Sequence, residues 1–477
     1  MNLKPLFIIT ALLLAACTAS QDSEDASEEG SPATNFTGAP GEVKLMTVDP
    51  GHFHAALVQK FMYDQVDSVV HVYAPEGDDL QLHLQRIEQF NAREENPTHW
   101  IEEVYTGSRQ TGPDFFEKML EEKSGNVVVL SGNNAKKTQY IKSSVDAGLN
   151  VLADKPMVIR PEEYPMLKAA FESAEENNVL LYDIMTERYE ITTMLQKELS
   201  QVAEVFGELQ KGTPEEPAIS KESVHHFFKY VADNPLIRPA WFFDTDQQGE
   251  GIVDVSTHLV DLILWECFPE EGIDTTDTEV VNARRWATAL TPAQFNKVTG
   301  LDTYPEYLQK DIIEDSVLNV YSNGEFVFTT RGVHGKVSVI WNFQAPEGAQ
   351  DTHFSMMRGT LANLVIRQDE PQQYKPTLYV EPTEEADMEN FEATLRTAIE
   401  QLNQEYPGLS MQAADEGWEI MIPDEYKVGH EAHFSQVTEK YLQYLVDGKL
   451  PAWEVSNMIT KYYLTMQAYQ MSRAQVQ

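Results

Sequence analysis

The chain has 477 residues, 42% of them hydrophobic, which is enough to bury cores for two or three domains. Its formal charge of −41 disfavours nucleic acid and anionic membrane surfaces as partners, because both would repel it.

In chain order, Lys4 precedes an apolar run at 6–14 that ends in Leu14-Ala15-Ala16-Cys17. A basic start and an apolar stretch too short to span a bilayer predict a signal peptide over 1–16. Small residues directly before a cysteine resemble the lipobox of bacterial lipoproteins, which makes Cys17 the expected lipidation site. Residues 17–41 are dominated by Ser, Asp, Glu, Ala, Gly and Pro and predict a flexible linker. The expected location is the cell envelope, on its periplasmic or surface side, with the lipid as the sole membrane contact. Thr18 stands where inner-membrane lipoproteins commonly carry aspartate, which favours the outer membrane. With Cys17 lipidated, Cys267 has no partner for an intramolecular disulfide.

Strands are predicted at 43–48, 68–73, 100–105, 126–130 and 151–153. Helices are predicted between and after them at 54–62, 80–92, 113–121, 136–147 and 161–178. This alternation over 42–188 predicts a parallel sheet covered on both faces. From 189 to 477 the pattern changes. A helix at 191–205 leads to strands at 280–289, 315–323, 325–333 and 338–343, with Asn323-Gly324 read as a hairpin turn. Helical patterns at 384–406, at 432–447 and from 454 onward close the chain. The second domain is thus expected to be α+β, around a large, mainly antiparallel sheet.

The most informative segment runs from Gly249 to Asp261. Asp254, His258 and Asp261 stand at i, i+4 and i+7 and line one face of a helix whose other positions are apolar. Buried carboxylates and imidazoles need partners or a ligand. An aspartate beside a histidine orients the ring and raises its basicity, as in a general base. A structural hydrogen-bond network is the plainer alternative. Lys155 follows a predicted strand directly, with Pro156 stopping that strand, and side chains at such strand ends face the ligand crevice of parallel sheets. Histidines give weaker signals. His52 and His54 are read as pointing to different sides, His225-His226 as part of an aromatic wall, and His430 with His433 as a helix start, so no metal site is expected.

Asp154-Lys155-Pro156, Ser131-Gly132-Asn133, Gly251 through Asp261, and the aromatic stretch Trp241-Phe242-Phe243 together resemble the motifs of the Gfo/Idh/MocA oxidoreductase family, in the family's order. Phe206-Gly207-Glu208-Leu209 is similar to the strand opening that family's second domain. The resemblance implies a Rossmann domain binding NAD or NADP, then a domain whose open sheet can join copies into a homo-oligomer. It implies that Lys155 contacts the reacting oxygen and nicotinamide ribose, that His258 takes the hydroxyl proton, and that Asp254 orients His258 or completes the relay. Gly51, His52, Phe53, Glu76, Ser131, Asn133 and Asp154 fall at cofactor-binding positions. Arg188, His226, Trp241 and Asp261 fall at positions facing a small carbohydrate substrate. The sequence departs from the family at the phosphate turn, where only the last glycine survives as Gly51 and Met46 and Val48 replace the others. Ala74 replaces the acid after the second strand, leaving Glu76 or Asp78 to reach a ribose. Three functions are compatible with this pattern. One is an oxidoreductase acting on a sugar or glycoside with tightly held cofactor. The others are a redox-neutral NAD-dependent glycoside hydrolase or lyase, and a cofactor-free glycan-binding lipoprotein.

Overall fold

The structure, a computed structural model, describes residues 36–107, 114–231, 234–314, 316–346 and 349–474. The predicted signal peptide, Cys17 and most of the linker lie outside the described residues, as do Pro113 and Asp315. Among the described residues no helix is long and apolar enough to cross a membrane.

The first half alternates as expected. Its elements are β1 (Leu45–Val48), α1 (His54–Leu57), β2 (Val69–Tyr73), α2 (Asp78–Ala92), β3 (Ile101–Tyr105), α3 (Phe115–Glu122), β4 (Val127–Leu130), α4 (Lys137–Asp146), β5 (Asn150–Asp154), α5 (Tyr164–Glu176) and β6 (Leu181–Ile184). All six strands pair in parallel, in the order β3-β2-β1-β4-β5-β6. Every residue of β1, β4, β5 and β6 is buried, as a sheet covered on both faces requires. This is the Rossmann-type sheet expected. β6 had no expectation of its own, because a four-residue segment interrupted by Asp183 carries no clear periodicity.

α1 is shorter than the predicted 54–62. The Trp100 indole donates to the Gln59 carbonyl at 2.5 Å and the Arg93 guanidinium to the Lys60 carbonyl at 2.6 Å. Beyond Leu57 the Gln59 and Lys60 amides bond three residues back, to Ala56 and Leu57, so the α-helical ladder ends and these side chains cap the free carbonyls.

The second half begins with α6 (Ile191–Ser200) and α7 (Ala203–Phe206). Its strands are β7 (Ile219–Phe228), the short pair β8 (Tyr230–Val231) and β9 (Asn234–Pro235), then, after α8 (Ser256–Cys267), β10 (Thr278–Leu290). There follow α9 (Pro292–Thr299), β11 (Ile312–Ile313), β12 (Val317–Thr330), β13 (Val333–Gln344), β14 (Thr352–Arg358), β15 (Ala362–Arg367) and β16 (Thr377–Pro382). The chain closes with α10 (Phe391–Leu402), β17 (Ser410–Ala414), β18 (Gly417–Met421), α11 (His430–Asp447) and α12 (Glu454–Ala474). The ten-stranded sheet runs β10-β12-β13-β7-β14-β15-β16-β18-β17, with β11 added to β12. Only β13 and β7 pair in parallel.

Two expectations are corrected here. Phe206 to Leu209 does not open the sheet: α7 ends there, and Leu209 makes a single bridge to Gly359. Asn323-Gly324 is not a turn but lies within β12, and the turn is at Arg331-Gly332, where φ is 51° and 82°. Gly324 instead admits the segment before α8, since a Cβ there would lie 2.5 Å from Ile252 Cβ. Gly251 approaches as closely from the other side, where a Cβ would lie 1.7 Å from the Ser322 carbonyl oxygen. Asn323 spends its amide on the Trp286 carbonyl at 3.0 Å and the Trp341 amide at 2.7 Å, where the β10–β12 register slips. The dipeptide therefore seats the loop that carries Asp254.

Candidate active site

The carboxyl ends of β1 and β5 open into a cleft of about 810 Å³, closed on its other sides by α8, α11 and the face of β7, β13 and β14. That volume is in the range of small-molecule sites.

At the end of β5, Asp154 is a buried hub. Its Oδ2 accepts from Ser131 Oγ at 2.8 Å and lies 2.9 Å from His54 Nδ1, and its backbone carbonyl accepts from Lys137 Nζ at 3.0 Å. Burial alone would raise its pKa, but His54, Lys137 and His52 hold the carboxyl well below the usual range. The next residue, Lys155, reaches the cleft, and its Nζ donates to Asp254 Oδ1 at 2.7 Å. Asp254 Oδ2 accepts from Gln248 Nε2 at 3.0 Å. Burial opposes charge on Lys155, and Asp254 and Asp154 keep it protonated. The expectation that Asp254 orients His258 is corrected: α8 starts at Ser256, so Asp254 sits in the preceding turn and faces the lysine.

His258 lines the cleft with its Nδ1 buried and unpartnered. Burial and the neighbouring Lys155 push its pKa down to about 4, so the ring is neutral and able to accept a proton at neutral pH. Glu187, beside it, is drawn down to about 2 by His353, His258, His430 and His433 against the opposing effect of burial.

The sheet supplies the opposite wall. Ser223 Oγ lies 2.6 Å from His225 Nε2 and 3.0 Å from His353 Nδ1, and His225 Nδ1 lies 3.1 Å from Asp351 Oδ2. Ser223 and His225 share one face of β7 by their two-residue spacing, and β14 places His353 opposite Ser223. Trp341 stacks on His225 with ring centroids 4.9 Å apart.

Several expected positions belong elsewhere. Arg188 and Asp261 do not line the cleft. Arg188 donates to Asp261 Oδ2 and to Glu454 Oε1 at 2.6 Å each, and Lys461 Nζ bridges Asp261 and Asp183 at 2.9 and 2.7 Å. Buried, and paired except at Asp183 Oδ1, this group joins α8, α12 and β6 away from the cleft. His226 points away from the cleft with Nδ1 3.3 Å from Asp351, and its neighbour His225 takes the place expected of it. Trp241 is not a substrate wall either. Its Nε1 donates to Asp79 Oδ2 at 2.7 Å, over Gly51, where a Cβ would meet both at 3.0 Å. Asn133 donates to Gln247 Oε1 at 2.7 Å, and Glu76 stands exposed after β2. His52 and His54 do not diverge. Their rings pack edge to face with centroids 4.1 Å apart, and both Nδ1 atoms turn toward Asp154. His430 and His433 start α11, as expected, and both line the cleft.

Glu187, Asp351 and His353 were not foreseen. Nothing local in Thr186-Glu187-Arg188, or in the polar stretch before β14, sets them apart from surface residues.

A family model described as "Putative oxidoreductase C terminal domain" matches residues 195–473. A crystal structure of a "putative oxidoreductase" from Parabacteroides merdae is 55% identical, with TM-score 0.90, covering 92% of this chain and 100% of that one. Two more distant structures share the fold. Levoglucosan dehydrogenase, in complex with NADH and levoglucosan, has TM-score 0.56 at 12% identity, covering 91% and 97% of the two chains. KijD10, a 3-ketoreductase from Actinomadura kijaniata in complex with NADP, has TM-score 0.51 at 13% identity, covering 88% and 95%. No curated protein sequence matches the chain. A match over more than half the chain and a relative of this identity show that the protein belongs to this oxidoreductase family, of the Gfo/Idh/MocA type.

Proposed function

We propose that the protein moves hydride between a nicotinamide cofactor and a carbinol carbon of a sugar or related polyol held in the cleft. The observation that carries this reading is the Lys155–Asp254 pair at 2.7 Å beside the neutral, unpartnered His258, where β5 ends. The fold shared with levoglucosan dehydrogenase, which binds NADH, supports it.

The residues present fit such a cofactor at both ends. His52, Phe53 and Lys155 line the cleft and would hold the nicotinamide ribose, and exposed Glu76 would hold the adenosine ribose. Trp241 over Gly51 sets how near phosphates come to the turn. The bound nicotinamide supplies the hydride acceptor or donor. Lys155 donates a hydrogen bond to the reacting oxygen and stabilises negative charge developing there. His258 accepts the hydroxyl proton during oxidation and returns it during reduction. Ser223, His225, Lys229 and Trp341 form a wall suited to hydroxyl groups and a sugar's apolar face.

One observation favours a redox-neutral variant, glycoside cleavage through transient oxidation. The Ser223–His225–Asp351 group is a second proton-handling cluster beyond what hydride transfer needs. Mass spectrometry of nucleotide released by denaturing the natively purified protein tests the common premise. Stoichiometric NAD(H) or NADP(H) supports both readings, and glycoside cleavage without net reduction then selects the second. Absence of nucleotide, with none binding at millimolar levels, sinks both. We also propose attachment through lipid on Cys17, supported by the Leu14-Ala15-Ala16-Cys17 motif. Radiolabelled palmitate failing to enter the protein in cells would overturn this.

A further inference from the structure

We infer that the cleft binds one divalent transition-metal ion between His54 and His430. Their Nε2 atoms face each other at 3.2 Å across the boundary between α1 and α11. Two imidazole nitrogens held about 2.0–2.1 Å from a common ion stand this far apart when the angle between them is about 100°. That angle lies between octahedral and tetrahedral.

The surroundings favour coordination over a simple ring-to-ring hydrogen bond. His54 Nδ1 lies 2.9 Å from the Asp154 carboxylate, which can only accept, so Nδ1 carries the proton and Nε2 presents a lone pair to the cleft. On the far side His430 Nδ1 lies 3.9 Å from Glu187 Oε1. His54 is thus backed by a hydrogen-bonded carboxylate on the nitrogen turned away from its partner, the arrangement that orients histidine ligands on metals. His433 stands one helical turn beyond His430 and lines the same cleft, as does His258. Water or a substrate oxygen can complete the shell. An all-nitrogen pair with a carboxylate behind one ring suits zinc, cobalt or nickel better than magnesium or calcium, which prefer oxygen. The inference stands apart from hydride transfer, because it concerns residues that need no nicotinamide to bind an ion.

The test uses the full chain, stripped with chelator and titrated with zinc or cobalt, with bound metal read by elemental mass spectrometry after dialysis and by cobalt visible absorption. About one ion per chain is expected. His54→Asn and His430→Asn should each weaken binding by roughly 100-fold or more, while circular dichroism of the metal-free variants stays native. His71→Asn, on β2 and away from the cleft, should bind as the parent does. Failure to bind a stoichiometric ion overturns the proposal. So does binding that survives His430→Asn but is lost in Asp154→Asn, since His52, His54 and Asp154 also lie close enough to share an ion.

Discussion

Asp254, His258 and Asp261 stand within eight residues of one another in the chain, yet the structure sends them into two different kinds of surroundings. Asp261 enters a cluster with Arg188, Lys461, Asp183 and Glu454 in which cations and carboxylates are matched by short bonds. Asp254 and His258 enter a cleft where Lys155 has one carboxylate partner and His258 Nδ1 has none. Burial is similar in both places, so burial does not mark function. Unspent hydrogen-bonding capacity beside an open volume does.

Substitutions should separate the two regions. Asp261→Ala leaves Arg188 and Lys461 buried with fewer partners and should cost about 3–5 kcal/mol of unfolding free energy in a urea titration. The activity of the remaining folded molecules should change little. A stable variant with collapsed activity would break the division. On the proposed mechanism Lys155→Met should lower kcat by roughly 10²–10³, because the charge that would face the reacting oxygen is gone, and should cost less stability than Asp261→Ala. His258→Asn should lower kcat by about 10²-fold and remove any acid limb near pH 4 from the pH–rate profile.

Acid should expose the cleft first. His258 titrates at about 4 and His430 at about 3 in the folded protein, both depressed by burial, against an ordinary value of 6.5. Between pH 6.5 and 4 the unfolded chain therefore binds more protons, and stability falls as pH falls, by about 1.4 kcal/mol per unit for each such ring. Asp261, held down by Arg188 and Lys461, stays ionised in the folded protein across that window and adds to the slope only near pH 4, where the unfolded aspartate starts to protonate. Urea midpoints measured from pH 6.5 to 4 should show a shallower slope in His258→Asn, and an unchanged slope would assign the acid sensitivity to other groups. The smallest effect is expected from Trp241→Phe, which deletes the bond to Asp79 and should cost about 1 kcal/mol. Its use lies in the KM for nucleotide, which should shift while kcat holds.

The first sheet was legible in the sequence because its strands are runs such as Val127-Val128-Val129, too apolar for any other place. That Lys155 lines the cleft was legible because motif and strand end coincide there, and that His258 does was legible from the helix motif alone. The opposite wall was not. Ser223, His225 and His353 become neighbours only through the pairing of β7 with β14, a register no local pattern announces. Arg188 and Asp261 misled because a polar residue at a family position reads the same whether its partner is a substrate or Lys461, which lies 200 residues further on.

That last separation has a consequence for how the molecule is made. Asp183 and Asp261 are synthesised long before Lys461, and Tyr462, which donates to Asp183 at 3.1 Å, follows Asp183 by 279 residues. Until α12 arrives, both carboxylates must stay hydrated or protonated, and until α11 arrives the cleft lacks His430 and His433. A nascent chain therefore carries no finished site. The buried carboxylates and the cleft are therefore complete only once α11 and α12 have packed against the rest of the chain.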